Sequence, residues 1–86
     1  MKQFTHIVQS PNGFHARPAG LLARQAKTYA DTVITLTKGD KTVKASQLLW
    51  VLNLEIQHGD AITVTVEGAE EETAWNDMQA FFLLNL

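Results

Sequence analysis

Ala16, Ala19, Ala23, Ala26 and Ala30 recur at intervals of three and four residues. That is the repeat of one helix face. A face made of small residues must pack closely on another surface. Leu22 and Tyr29 flank the stripe, and Pro18 suits the first turn of such a helix, where a missing N–H costs nothing. The chain offers a matching surface. From Ala61 to Glu67, Ile62, Val64 and Val66 alternate with Thr63 and Thr65, the period of a strand with one buried side. Helix and sheet are each half of a two-layer arrangement.

The remaining segments fit that scheme. Gln3 to Gln9 reads as a short strand, and Ser10-Pro11-Asn12-Gly13 as a turn. Thr32 to Thr37 and Lys41 to Ala45 read as a hairpin around Lys38-Gly39-Asp40. Gln47 to Leu54 reads as a short helix with Ser46 as its N-cap. His58-Gly59-Asp60 is a turn. Glu70, Glu71 and Glu72 open a last helix that runs through Ala74, Trp75, Met78, Phe81 and Phe82. The order is β-α-β-β-α-β-α, an α+β domain with a sheet covered on one side, the split-βαβ pattern with an extra helix. No linker or repeat interrupts it, and one domain over residues 1–86 is expected.

Composition narrows the chemistry. With 45% hydrophobic and 19% charged residues the chain is a globular mix, not a disordered one. The absence of cysteine removes disulfides, thiolate chemistry and cysteine zinc sites. A domain this small without covalent staples points to a reducing cytoplasm. The start, Met1-Lys2-Gln3-Phe4, does not resemble a signal peptide. No apolar run approaches the roughly 18 residues that read as a membrane span.

The net charge of −2 hides an asymmetry. All seven basic residues fall within residues 1–44, against only Asp31 and Asp40, a balance of +5. From residue 45 onward there are seven acids and no base. A single modest basic half with no recognised motif gives poor support for nucleic-acid binding.

Of three histidines, His6 in the first strand and His58 in a turn have no second ligand at metal spacing. They read as ordinary strand and surface residues. His15 follows the turn and precedes the alanine helix, with Arg17 and Pro18 close behind. A helix start presents unpaired N–H groups and partial positive charge, which together favour an anion. An imidazole there tends to stay neutral and nucleophilic. A phosphoryl group on it would meet those donors and the Arg17 guanidinium. The same residues also read as a polar cap on an ordinary helix.

The run Pro11-Asn12-Gly13-Phe14-His15-Ala16-Arg17-Pro18-Ala19 closely resembles the active-site signature of the HPr family, the histidine phosphocarriers of the bacterial sugar phosphotransferase system. The resemblance extends over essentially the whole chain. It implies an open-faced sandwich: a four-stranded antiparallel sheet in order 1-4-2-3 with three helices on one side. It implies that His15 takes a phosphoryl group on Nδ1 from the phosphohistidine of Enzyme I, itself charged by phosphoenolpyruvate. The group would pass to an EIIA protein or domain. Arg17 would neutralise it and backbone N–H groups of Ala16 and Arg17 would cradle it, with no cofactor and no metal. Such a chain is a carrier rather than a stand-alone catalyst.

The resemblance also implies a docking face. Leu48, Leu49, Trp50, Val51 and Leu52 are consecutive, and a helix cannot bury them all. Leu48 with Trp50 or Val51 is assigned to the partner surface, and cover by the end helix is the alternative. Arg24 and Lys27 resemble a basic rim that meets acidic partners, so a positive patch is expected around His15. Many family members carry a regulatory serine at the start of the second helix, which would add a kinase or transcription factors as partners. Ser46 has that number, but ungapped matching from Lys41 to Gly59 puts Gln47 there and makes Asp40 an extra turn residue. Ser46 is then either regulatory or only a cap. Glu55, between Leu54 and Ile56, stands where the family usually has glycine. Some nitrogen-branch relatives carry an acid there, so a regulatory paralogue acting through protein contacts is the alternative function. A monomer is expected, although the apolar Phe81-Phe82-Leu83-Leu84-Asn85-Leu86 tail raises self-association. The Met1 start and the length fit a free protein better than an excised domain.

Overall fold

The computed structural model describes residues 1–13 and 16–86. The elements are β1 (Lys2–Ile7), α1 (Ala16–Ala26), β2 (Thr32–Lys38), β3 (Lys41–Lys44), α2 (Leu48–Asn53), β4 (Ala61–Gly68) and α3 (Glu71–Asn85). The strands form one antiparallel sheet in the order β1-β4-β2-β3. Both the element order and the strand order are those expected from the sequence.

The alternation in β4 sets the two faces. Ile62, Val64 and Val66 are fully buried. Phe4 pairs with Val64, and Ile34 and Leu36 pair with Val66 and Val64, on the helix-covered side. The opposite side is open and rich in threonine: Thr5 lies 3.4 Å from Thr63 and Thr37 lies 2.9 Å from Thr42, oxygen to oxygen. On the covered side, Pro18, Ala19, Leu22, Ala23 and Ala26 of α1 and Ala74, Met78, Phe81 and Phe82 of α3 are buried. The alanines bring α1 onto the core as their spacing predicts, whereas Phe82 fills space against Phe4 and Phe81 edge to face. No helix among the described residues is long and apolar enough to cross a membrane.

Helix ends depart from the sequence reading for local reasons. The stripe runs to Ala30, but α1 stops at Ala26. The amide of Thr28 donates to Gln25 O at 3.0 Å, and its hydroxyl donates there at 2.7 Å. These bonds draw the chain out of helical register. Asp31 then takes a positive φ of 50°. Tyr29 anchors the exit: its hydroxyl donates to Asp77 Oδ2 at 2.7 Å and accepts from Gln25 Nε2 at 3.0 Å. Burial, followed by the Asp77 carboxylate, pushes its phenol up.

Ser46 does not cap α2. The residue flanking the helix is Gln47, which makes no side-chain cap bond. Ser46 falls one residue too early, in a turn closed by Gln47 N–H to Lys44 O at 3.1 Å. At the other end of α2, Glu55 adopts φ 52°, the left-handed conformation that leaves the helix. That geometry explains why a glycine is the natural occupant.

Exchanging Glu55 for glycine removes a left-handed strain of about 1–2 kcal/mol and restores some chain entropy. Glu55→Gly is therefore expected to raise stability by roughly 0.5–1 kcal/mol in urea unfolding. Glu55→Ala should give no such gain. Equal midpoints for the two variants would refute this account of the α2 exit.

Candidate functional site

The turn before α1 closes on itself and is held by two distant parts of the chain, Leu86 and the Ile56–Gln57 segment. The turn Ser10–Gly13 closes with Gly13 N–H donating to Ser10 O at 3.0 Å, leaving Pro11 and Asn12 exposed at its corner. Just before the turn, the amides of Gln9 and Ser10 both donate to Leu86 O, the latter at 2.9 Å. Gly13 is buried at φ 65° against the segment after α2, where an added Cβ would meet the Ile56 carbonyl and lie 2.8 Å from Gln57 Cα. Gly13 thus serves twice: it turns the chain and it permits backbone-to-backbone contact.

His15 and Phe14 fall outside the described residues. The helix begins at Ala16, so Ala16 and Arg17 are its first two positions and both are exposed. Their N–H groups have no intrahelical acceptor, as in any first turn. Pro18, the third position, brings no N–H to satisfy and is buried. No acid lies in the first turn, which leaves the positive end of the helix dipole unopposed from within α1. Arg17, Arg24 and Lys27 are all exposed and make no ion pair with a described residue.

The segment that receives Gly13 is itself clamped. Lys38, at the end of β2, donates from Nζ to Leu54 O at 3.1 Å and to Glu55 O at 2.8 Å, and pairs with Asp60 Oδ2 at 3.0 Å. One ammonium therefore satisfies carbonyls at the C-terminal end of α2, where a cation is also favoured by the dipole. Asp60 also accepts Gln57 N–H at 2.8 Å. That backbone bond, then Lys38, holds the Asp60 carboxyl below its ordinary value.

Apolar side chains stand exposed beside these groups. On α2, Leu49 is 75% exposed, Trp50 59% and Leu48 37%; Leu21 on α1 is also exposed. Val51 is not part of this surface: it is 1% exposed and packs in the core, so its assignment to the docking face is corrected. The single turn and a half of α2 turns Val51 and Leu54 inward, which forces Leu49 and Trp50 outward. Leu49, the most exposed of the group, is placed by its phase relative to the buried Val51, which an uninterrupted apolar run does not reveal.

The other two histidines stand apart. His6 is half-buried with its ring edge to face on Phe82 at 5.5 Å, and Nε2 has no partner among the described residues. His58 is exposed in the turn after α2.

Known proteins similar to this chain in sequence and fold include phosphocarriers. The family described as PTS HPr component phosphorylation site matches residues 2–83. The phosphocarrier protein HPr of Mycoplasma genitalium is 32% identical over 74 residues, spanning 86% of this chain and 84% of the relative. HPr of Buchnera aphidicola is 31% identical over 74 residues, spanning 86% of each chain. A crystal structure of HPr from Bacillus anthracis superposes with a TM-score of 0.85 at 33% identity, covering 94% of this chain and 95% of that one. The chain belongs to the HPr family of the bacterial phosphotransferase system.

The clamp has a pH signature. Because the folded carboxyl of Asp60 titrates below its unfolded value, its contribution is complete above the ordinary carboxylate range and is lost as pH falls through the lowered value. Asp60→Asn should therefore flatten the acid limb of a stability-versus-pH curve below about pH 4. An unchanged limb would mean the clamp is not coupled to folding. Gly13→Ala should destabilise by more than about 1 kcal/mol in urea unfolding, since both the positive φ and the Ile56 contact oppose a methyl group. A near-neutral result would contradict the close approach.

Proposed function

We propose that the chain, as a single domain over residues 1–86, carries a phosphoryl group on His15. The group comes from the phosphohistidine of Enzyme I and goes to a histidine of an EIIA protein or domain in phosphoenolpyruvate-dependent sugar uptake. The observation that carries this reading is the union of sequence and helix start. The residues that follow His15 open α1 with two exposed positions and no acid.

In the first transfer the P–N bond to the Enzyme I histidine breaks as one forms at His15 Nδ1, and in the second the bond at His15 Nδ1 breaks as one forms on the EIIA histidine. The negative charge on the moving group is met by the N–H groups of Ala16 and Arg17 and by the Arg17 guanidinium. A phosphoramidate keeps enough transfer potential to be handed on, which a serine ester would not. The reading assigns the chain to the cytoplasm, where phosphoenolpyruvate is made.

Docking falls to the face beside the helix start. Leu48 and Leu49 supply an apolar contact, and Arg24 and Lys27 supply charge that speeds encounter with acidic partners. Ser46 sits half-buried in the turn before α2, and regulatory phosphorylation there is no part of this mechanism.

Incubation with Enzyme I and labelled phosphoenolpyruvate should give an acid-labile, base-stable label on the chain. His15→Ala should abolish it, while His6→Ala and His58→Ala should keep it. Arg17→Ala should slow transfer by at least about tenfold without unfolding the protein. Leu49→Asp should raise the concentration needed for half-maximal transfer from Enzyme I. Absence of label on the wild-type chain would overturn the proposal.

A further inference from the structure

The sheet has two outer strands, and they are finished differently. On β1, the Trp75 indole N–H donates to Gln3 O at 3.2 Å and the Gln9 carboxamide donates to Ile7 O at 3.3 Å. Both carbonyls lie on the outward side, so that edge is closed at its ends. On β3, Ala45 N–H donates to Ile34 O at 2.8 Å. The alternation of the ladder then directs Lys41 and Val43 at β2 and turns Thr42 and Lys44 outward. Lys44 O is taken by Gln47 N–H. The N–H and C=O of Thr42 and the N–H of Lys44 have no partner among the described residues.

Beside this open edge runs a groove of about 490 Å³ lined by Lys41, Thr42, Val43, Trp50, Asn53 and Leu54. Its wall is the exposed Trp50 indole, and among the described residues lining it Lys41 alone is charged. The hairpin that bears it presents Lys41 and Lys44 as exposed cations. Two copies paired through β3 would crowd four ammonium groups into one short ladder, which disfavours self-pairing. An acidic strand meets no such penalty.

We propose that the edge of β3 and the groove against α2 receive an extended acidic peptide segment of a partner protein, which adds a fifth strand to the sheet. Its backbone pairs with Thr42 and Lys44. An aliphatic side chain sits on Trp50, Val43 and Leu54. Flanking carboxylates meet Lys41 and Lys44 on either face. The site lies on the β3 side of α2 and does not use His15 or Arg17, so its failure and failure of phosphoryl transfer are separable.

The test uses the whole chain carrying Trp75→Phe, so that Trp50 is the sole indole. The probe is acetyl-Glu-Glu-Leu-Glu-Val-amide, whose first, third and fifth side chains face the groove and Lys41 while the second and fourth face Lys44. The expected result is a saturable change in Trp50 fluorescence, with hydrogen exchange at the Thr42 and Lys44 amides slowed at least about tenfold. Lys41→Glu and Trp50→Ala, both at exposed positions, should each weaken binding at least about tenfold with unfolding curves unchanged. Unaltered exchange at Thr42 and Lys44 at millimolar peptide would overturn the proposal. So would equal binding of the backbone N-methylated peptide or of its lysine-for-glutamate counterpart. Protection of the same amides without peptide, together with a dimer in sedimentation, would assign the edge to a second copy instead.

Discussion

The close approach of Gly13 to the Ile56–Gln57 backbone fixes where α1 begins. Only a residue without a Cβ fits there, and only a positive φ turns the chain from β1 into the helix. Everything proposed for the site depends on that placement, because the donors of a helix start are useful only if the helix starts in the right place. The receiving segment is held in turn by Lys38, which joins the end of β2 to the carbonyls of α2 and to Asp60. The amides of Gln9 and Ser10 reach the carbonyl of Leu86, so the loop is tied to α3 as well. A loop anchored to Leu86 and to the Ile56–Gln57 segment is positioned by the fold rather than by its own composition.

The charge asymmetry of the sequence becomes intelligible in this frame. The side-chain ion pairs Lys2–Glu72 and Lys38–Asp60 each join a base from the first half to an acid from the second. Asp77 receives the Tyr29 hydroxyl, and Glu70 accepts the Ala30 amide at 2.6 Å. The acids of the second half are thus largely engaged in holding the fold. The bases that remain without an ion pair among the described residues include Arg17 and Arg24 on α1 and Lys27 just past its end. A net charge near zero leaves room for a local field of one sign.

The layers were legible because their periods are strong. Ile62, Val64 and Val66 alternate over a fully buried face, and Ala19, Ala23 and Ala26 repeat at helical spacing. What was not legible is set by particular contacts, some within a turn and some far apart in sequence. The exit of α1 depends on Thr28 bonding back to Gln25 and on Tyr29 reaching Asp77. The start of α2 depends on a turn that consumes Ser46 and leaves Gln47 at the helix end. Val51 faces the core because α2 is too short to bury more than one side, and five apolar residues in a row carry no phase of their own. Gly13 reads as a turn residue from composition, but its second duty against Ile56 is visible only in three dimensions.

The proposed function turns on His15 as the phosphoryl acceptor. The most direct measurement is NMR of the imidazole nitrogens after the purified chain has been charged by Enzyme I and phosphoenolpyruvate. One histidine, His15, should carry the phosphoryl group, on Nδ1, while the rings of His6 and His58 are unchanged. A phosphoryl group on His6 or His58, on Nε2 of His15, or on no histidine at all would contradict it.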